Sequence, residues 1–144
     1  MDDQFKLERI LAAQADVFEQ VLAELRTGQK RSHWIWFIFP QMKSLGRSTQ
    51  SIYYGIGSIE EAIAYLEHPI LGPRLHQCTQ LVAQIEGRAI NQILGYPDDL
   101  KFRSSMTLFA HASVHAQLNA TDFQEALTKY FNSEPDSLTV SLLL

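Results

Sequence analysis

The sequence contains one cysteine, Cys78, and no long run of apolar residues. A single cysteine excludes a framework of intrachain disulfides and is typical of a reducing compartment. No apolar run approaches the ~20 residues that a transmembrane helix needs. The chain opens with acidic and polar residues instead of the apolar core of a signal peptide. We therefore predict a cytoplasmic protein without a membrane partner.

Positive charge is also scarce, because 12 lysines and arginines face 16 aspartates and glutamates, giving a net charge of −4. Proteins that bind nucleic acids normally present a concentrated basic surface. The one local basic excess, Lys30-Arg31, is too short to form such a surface. We therefore predict no nucleic-acid partner.

What the chain does contain is typical of one globular domain. Its 144 residues are 46% hydrophobic and 19% charged, which is enough apolar material for a substantial core. No linker, repeat or low-complexity segment divides it. We predict that residues 1–144 form a single domain.

Apolar residues recur at helical spacing through most of the chain. Gly28 is expected to end the first helix in a left-handed conformation, and Ser58 to cap a later one together with Glu61. No segment offers partner strands, so we predict an all-α fold, a single compact domain of about six to eight helices. The predicted helices cover residues 13–26, 33–39, 59–67, 71–85, 89–94 and 97–112. A further helix is capped by Thr121 or Asp122 and runs to residue 131, and a last turn covers 138–144.

The most distinctive stretch, residues 30–41, holds both tryptophans between a polar head and a Pro-Gln end. Ser32 is a natural N-cap for a helix over 33–39, although a buried strand of this length would have the same composition. Residues 41–57 follow with several glycines and hydroxyls. They are predicted to form a long loop, a kind of segment that is usually functional or mobile.

Basic and hydroxylic side chains flank this stretch. An anion at the predicted helix start would meet backbone N–H groups, Arg31 and the imidazole of His33, which is the candidate acid/base residue. Arg47 and Ser48 follow Gly46 and could hold a phosphate. The alternative is that Arg31 complements the preceding helix end, that His33 is simply hydrogen-bonded, and that residues 46–48 form a solvated turn.

Five further residues complete the candidate site. Trp34 or Tyr54 would stack on a planar ring, Gln41 would bond a ligand at the rim, and Lys101 with Ser105 would add a polar helix face. The competing interpretation is core packing for the aromatic residues and an ordinary solvated face for Lys101 and Ser105. We predict no metal site and no cofactor, because His111 and His115 have ligand spacing but no third ligand is evident.

Five blocks of this sequence are distinctive. They are RSHWIWFIFPQ (31–41), LGRS (45–48), YGI (54–56), HPILGPRL (68–75) and DDLKFRSSMTLF (98–109). Together they resemble a bacterial family of domains of unknown function, number 1810 in that series, whose members are often labelled "calpastatin". The resemblance implies a mainly α-helical single domain without an established activity. A second resemblance, of Leu100-Lys101-Phe102 followed by Leu108, is to small helical domains that process NAD or ADP-ribose.

Two functions from different classes follow. The first is a pocket for a nucleotide- or ADP-ribose-like anionic small molecule, in which hydrolysis would be the reaction if the protein is an enzyme. The second is a non-catalytic protein-interaction module with an unidentified protein partner. Convergence of Arg31, Arg47 and Lys101 on one cleft would favour the first.

Overall fold

The computed structural model describes residues 3–144, in which ten α-helices and one short 3-10 helix, Lys43–Leu45, occur without any β-strand. The predicted all-α class is confirmed, but ten helices exceed the predicted six to eight. None of the helices in this range is long and apolar enough to cross a membrane. The α-helices are α1 (Glu8–Ala15), α2 (Phe18–Thr27), α3 (Ile35–Ile38), α4 (Thr49–Tyr53), α5 (Ile59–Glu67), α6 (Leu71–Gln84), α7 (Ile90–Leu94), α8 (Asp98–His115), α9 (Thr121–Phe131) and α10 (Ser137–Leu143).

The additional helices are short ones that tertiary contacts stabilise. The helix predicted over residues 13–26 is two helices, α1 and α2, which are separated where Val17 leaves helical geometry at φ −122°. Residues 41–57, predicted as a loop, contain the 3-10 helix and α4. Helices of one or two turns are unstable alone, so hydrophobic periodicity detects them poorly.

Two predicted helix ends are confirmed. Gly28 closes α2 in the left-handed region at φ 82°, and the Ser58 hydroxyl accepts the Glu61 N–H at 3.1 Å to start α5. The Glu61 carboxylate, however, accepts a hydrogen bond from the Gly57 N–H at 3.0 Å and so leaves the predicted capping box incomplete. Its other oxygen is engaged by Arg9, as described below.

The centre of the fold is α8, which packs against α3, α5, α7, α9 and α10. Phe102, Met106 and Phe109 on this helix are wholly buried. Its hydroxylic face is buried as well, since Ser104 is 7% exposed and Ser105 is 0% exposed. The solvated face considered for Ser105 is therefore wrong, because neighbouring helices cover that side of α8.

Arg9 of α1 fastens the segment of residues 41–57 to the body of the fold. Its guanidinium donates to the carbonyls of Tyr53 and Gly55, each at 2.8 Å, and pairs with the Glu61 carboxylate at 2.8 Å. Both side chains of this pair are largely buried. The segment therefore has a fixed position even though it carries little regular structure.

The beginning of the tryptophan-rich stretch is organised by Glu24 of α2 and not by Ser32. Helix α3 starts at Ile35 after Trp34, so Ser32 does not cap it. The buried Glu24 carboxylate accepts from the backbone N–H of Arg31 at 2.7 Å and of Ser32 at 3.0 Å. It also accepts from the Ser32 hydroxyl at 2.6 Å and the Trp34 indole N–H at 2.9 Å.

The ionisation of Glu24 follows from these contacts. Burial by itself would raise the pKa of Glu24, but the hydrogen bonds from the Arg31 amide, the Ser32 hydroxyl and the Trp34 indole offset it. The net result lowers the pKa of Glu24 from 4.5 to about 2. The side chain is thus a carboxylate held inside the protein by neutral donors.

Candidate ligand-binding cleft

A cleft of about 860 Å³ opens between the segment of residues 41–57, the start of α8 and the turn before α10. We call it the main cleft. Trp36 contributes its ring, and the other lining residues are 41, 44–48 and 51 from the segment, 97, 100, 101 and 104 around the start of α8, and 136 and 138.

The first wall depends on a close approach at Gly46. A Cβ atom at this position would lie 2.7 Å from the Ser51 Cβ, so only glycine allows the chain to pass this near to α4. Ser48 then caps α4 by accepting the Ser51 N–H at 3.1 Å, and the two serine hydroxyls are 2.8 Å apart. These contacts fix the backbone on both sides of Arg47.

Arg47 is exposed at this wall and makes no hydrogen bond or ion pair with any of residues 3–144. Gln41, which also lines the cleft, has a side-chain amide without a partner among the same residues. A guanidinium fork that is not engaged by the protein matches carboxylate and phosphate groups. The wall therefore offers one unpaired cation and one unpaired amide to the cleft.

The second wall carries Lys101 within a group of three charges. The Lys101 Nζ lies 3.4 Å from one oxygen of Asp98, while the other oxygen of Asp98 is 2.8 Å from the Lys30 Nζ. Two ammonium groups thus share one carboxylate, which leaves a net charge of +1 beside the cleft.

The third wall is the turn that starts α10. The Asp136 carboxylate accepts from the Thr139 N–H at 3.0 Å and from its hydroxyl at 2.6 Å, both at Oδ2. The backbone N–H of Asp136 donates to the Thr107 hydroxyl at 2.9 Å and so ties this turn to α8. Leu138 adds an apolar side chain that is 63% exposed.

A family model described as "Protein of unknown function (DUF1810)" matches residues 4–143. The chain belongs to the DUF1810 family. The crystal structure of the conserved hypothetical protein Rv1873 from Mycobacterium tuberculosis is similar to it, with 54% sequence identity, 98% of each chain covered and a TM-score of 0.92. No curated protein matches the chain. The family resemblance noted in the sequence is confirmed, and neither description assigns an activity.

In this DUF1810 protein, four of the predicted site residues lie together in the main cleft. They are Gln41, Arg47, Ser48 and Lys101. The signal was a glycine beside Arg47 and Ser48, serines near Lys101, and the position of Gln41 just after Pro40. Ligand binding by them stays a prediction.

The other predicted site residues are outside the lining of the main cleft. Trp34 is 1% exposed and bonded to Glu24, and Ser105 is fully buried. Tyr54 packs edge-on against Phe37 with ring centroids 5.4 Å apart. Arg31 and His33 are exposed and do not join Arg47 and Lys101.

The anion site predicted beside Arg31 has a specific explanation in this DUF1810 chain. The backbone N–H groups of Arg31 and Ser32 do converge on an anion, and that anion is the Glu24 carboxylate. Because these donors are already engaged within the protein, they are not available to a ligand. The motif is therefore a structural feature of the fold.

Sequence reasoning missed Asp136, and it considered Trp36 and Ser104 without predicting them as ligand-binding residues, although all three line the main cleft. Trp34 immediately precedes α3 and Trp36 lies within it, so these side chains, two positions apart, point in different directions. The prediction that only one of them would face a cleft agrees with this geometry, but it named the wrong tryptophan. Trp34 is the buried one because its indole N–H donates to the Glu24 carboxylate, ten positions earlier in the chain.

Proposed function

We propose that this protein binds an anionic small molecule, of the nucleotide or ADP-ribose kind, in the main cleft. The observation that carries the proposal is the unpaired guanidinium of Arg47 in a cleft that Lys101 also lines. The Lys30–Asp98 pair is neutral, so Arg47 and Lys101 bring two positive charges to the lining against the one negative charge of Asp136, whose Oδ2 is engaged in capping α10. A phosphate group suits such a site because it accepts several charge-assisted hydrogen bonds.

The apolar part of the main cleft supports a ligand that also carries a ring. The half-buried Trp36 lines it together with Leu45 and Leu100. Pockets that bind cofactor-sized molecules commonly combine such apolar surface with a few polar groups. We assign no reaction to the site, since the candidate acid/base residue His33 does not line it.

The first test is thermal unfolding in the presence of NAD, ADP-ribose, nucleotides and sugar phosphates. A bound ligand at about 100 times its Kd stabilises the folded state by roughly 2.7 kcal/mol, which raises the Tm of a domain this size by about 5–10 °C. We expect such a shift for at least one phosphorylated compound and its loss in Arg47→Ala.

The matched control is Arg31→Ala, because Arg31 is equally exposed but lies outside the cleft. This variant is expected to keep the full shift. Tryptophan fluorescence tests whether the ligand binds in the main cleft. The ligand should quench the fluorescence of Trp36, and this quenching should be absent in Trp36→Phe. A shift that survives Arg47→Ala would contradict the proposed location.

The interaction module remains the second candidate, because two apolar side chains that line the cleft are well exposed. Leu100 is 48% exposed and Leu138 63%. Apolar side chains grouped on a surface are typical of protein contact sites. If no compound raises the Tm, this function is favoured, and a pull-down with the purified protein is the next experiment.

A further inference from the structure

Lys30 is the buried basic side chain of the tryptophan-rich stretch, residues 30–41. Only 7% of its side chain is exposed. Its ammonium donates to the Ser32 carbonyl at 2.6 Å, lies 5.1 Å from the Trp34 ring and pairs with Asp98 at 2.8 Å. These contacts bring a cation from residue 30 to the first turn of α8, next to the main cleft.

The two distances to Asp98 show which cation it holds more closely. Lys30 approaches the carboxylate at 2.8 Å, whereas Lys101 stays at 3.4 Å and retains 23% exposure. An ion pair weakens when its carboxylate is already neutralised by a nearer and less exposed cation. Lys101 is therefore bound loosely to its own helix.

We propose that Lys30 is a positioning residue of the main cleft, which neutralises Asp98 and so leaves the Lys101 ammonium available to an anionic ligand. This inference rests on the proposed function for its biological purpose. Its physical content concerns only Lys30, Asp98 and Lys101 and holds in the protein without a ligand. Lys30 does not line the cleft, so its effect acts through Lys101.

The net charge of residues 30, 98 and 101 in two variants distinguishes this electrostatic role of Lys30 from a purely structural one. In Lys30→Met the aliphatic stem remains but Asp98 loses its nearer cation, so Lys101 becomes its partner and the group has no net charge. In the double variant Lys30→Met with Asp98→Asn the carboxylate is gone as well, and Lys101 is free with a charge of +1. A packing defect caused by losing the Lys30 contacts with the Ser32 carbonyl and the Trp34 ring would not be repaired by removing Asp98.

The experiment measures acetylation of Lys101 by acetic anhydride in the ligand-free protein, followed by mass spectrometry. We expect the rate to fall about three-fold in Lys30→Met, because pairing withdraws the amine, and to return to the wild-type rate in the double variant. Equal rates in wild type and Lys30→Met, or a double variant as slow as Lys30→Met, would overturn the inference.

A second variant keeps the test decisive if Lys30→Met does not fold. Asp98→Asn alone is expected to raise the acetylation rate of Lys101 by less than about two-fold, since Lys30 already neutralises the carboxylate. A rise of about five-fold or more would mean that Lys101 is firmly paired in the wild type, and the inference would fail.

The ligand arm uses ADP-ribose as the probe and compares its Kd in the same proteins. We expect the Kd to rise about five-fold in Lys30→Met and to return in the double variant. If wild-type protein binds neither ADP-ribose nor any other phosphorylated compound, the proposed function fails. The acetylation rates then still decide whether Lys30 controls Lys101.

Discussion

Glu24→Ala is expected to destabilise the protein by about 3–5 kcal/mol, which is a large part of the stability of a domain this size. The reason is that the substitution leaves the N–H groups of Arg31 and Ser32 and the indole N–H of Trp34 without an acceptor. Trp34 is fully buried, so water cannot replace the lost carboxylate there. Urea unfolding followed by circular dichroism measures the difference.

Glu19→Ala is the matched control, because Glu19 is on the same helix but exposed. It should change the free energy of unfolding by less than about 0.5 kcal/mol. A loss below about 1 kcal/mol for Glu24→Ala would show that the chain around Arg31 and Trp34 does not depend on this carboxylate.

The same residue also governs acid stability. The pKa of Glu24 is about 2 in the folded protein, below its ordinary value of 4.5. Because the folded pKa is the lower one, the stabilisation is fully present above pH 4.5 and is lost as the pH falls from about 4.5 towards 2. It amounts to about 3 kcal/mol. Glu24→Gln should remove this part of the pH dependence.

Gly72→Ala is expected to lower the free energy of unfolding by about 3 kcal/mol or more, because a Cβ atom at residue 72 would overlap the Leu66 carbonyl oxygen. The clash is with backbone at the end of α5, which cannot rotate away as a side chain would. The start of α6 must therefore move relative to α5. Thermal and urea unfolding both measure this effect.

Gly57→Ala provides the comparison for this substitution. The nearest atom to its Cβ would be the Glu61 Oε1 at 3.5 Å, an ordinary contact. It should be neutral or stabilise the protein by up to about 1 kcal/mol, since alanine restricts the unfolded chain. Similar losses at residues 57 and 72 would show that the close contact with Leu66 is not the cause.

The parts of the fold that could be predicted are those that depend on neighbours in the sequence. Apolar spacing identified α5, α6, α8 and α9, and local capping identified Gly28 and Ser58. The hydrogen bonds of the Arg9 and Glu24 side chains were not predictable, because they join residues that come together only in the folded protein. Arg9 bonds groups 44 to 52 residues away, and no spacing rule relates them.

The candidate site likewise contains residues that could be predicted from the sequence and residues that could not. Arg47 and Lys101 were identified because a cation beside glycine or hydroxyl groups is recognisable in one dimension. The choice of Trp34 over Trp36 failed because α3 is a single turn whose orientation Glu24 sets from another helix. Lys30 was treated only as half of a short basic pair, since its partner Asp98 is 68 positions later in the chain.

The contacts of the Arg9 guanidinium also bear on the order in which parts of the fold become available during synthesis. Every acceptor of its guanidinium, including the carbonyls of Tyr53 and Gly55 and the carboxylate of Glu61, is within the first 61 residues. Synthesis runs from the N-terminus, whereas a domain generally folds as one unit. All partners of the Arg9 guanidinium are thus present on the nascent chain before α8, which supplies the wall carrying Lys101, and α8 completes the unit in which they are held.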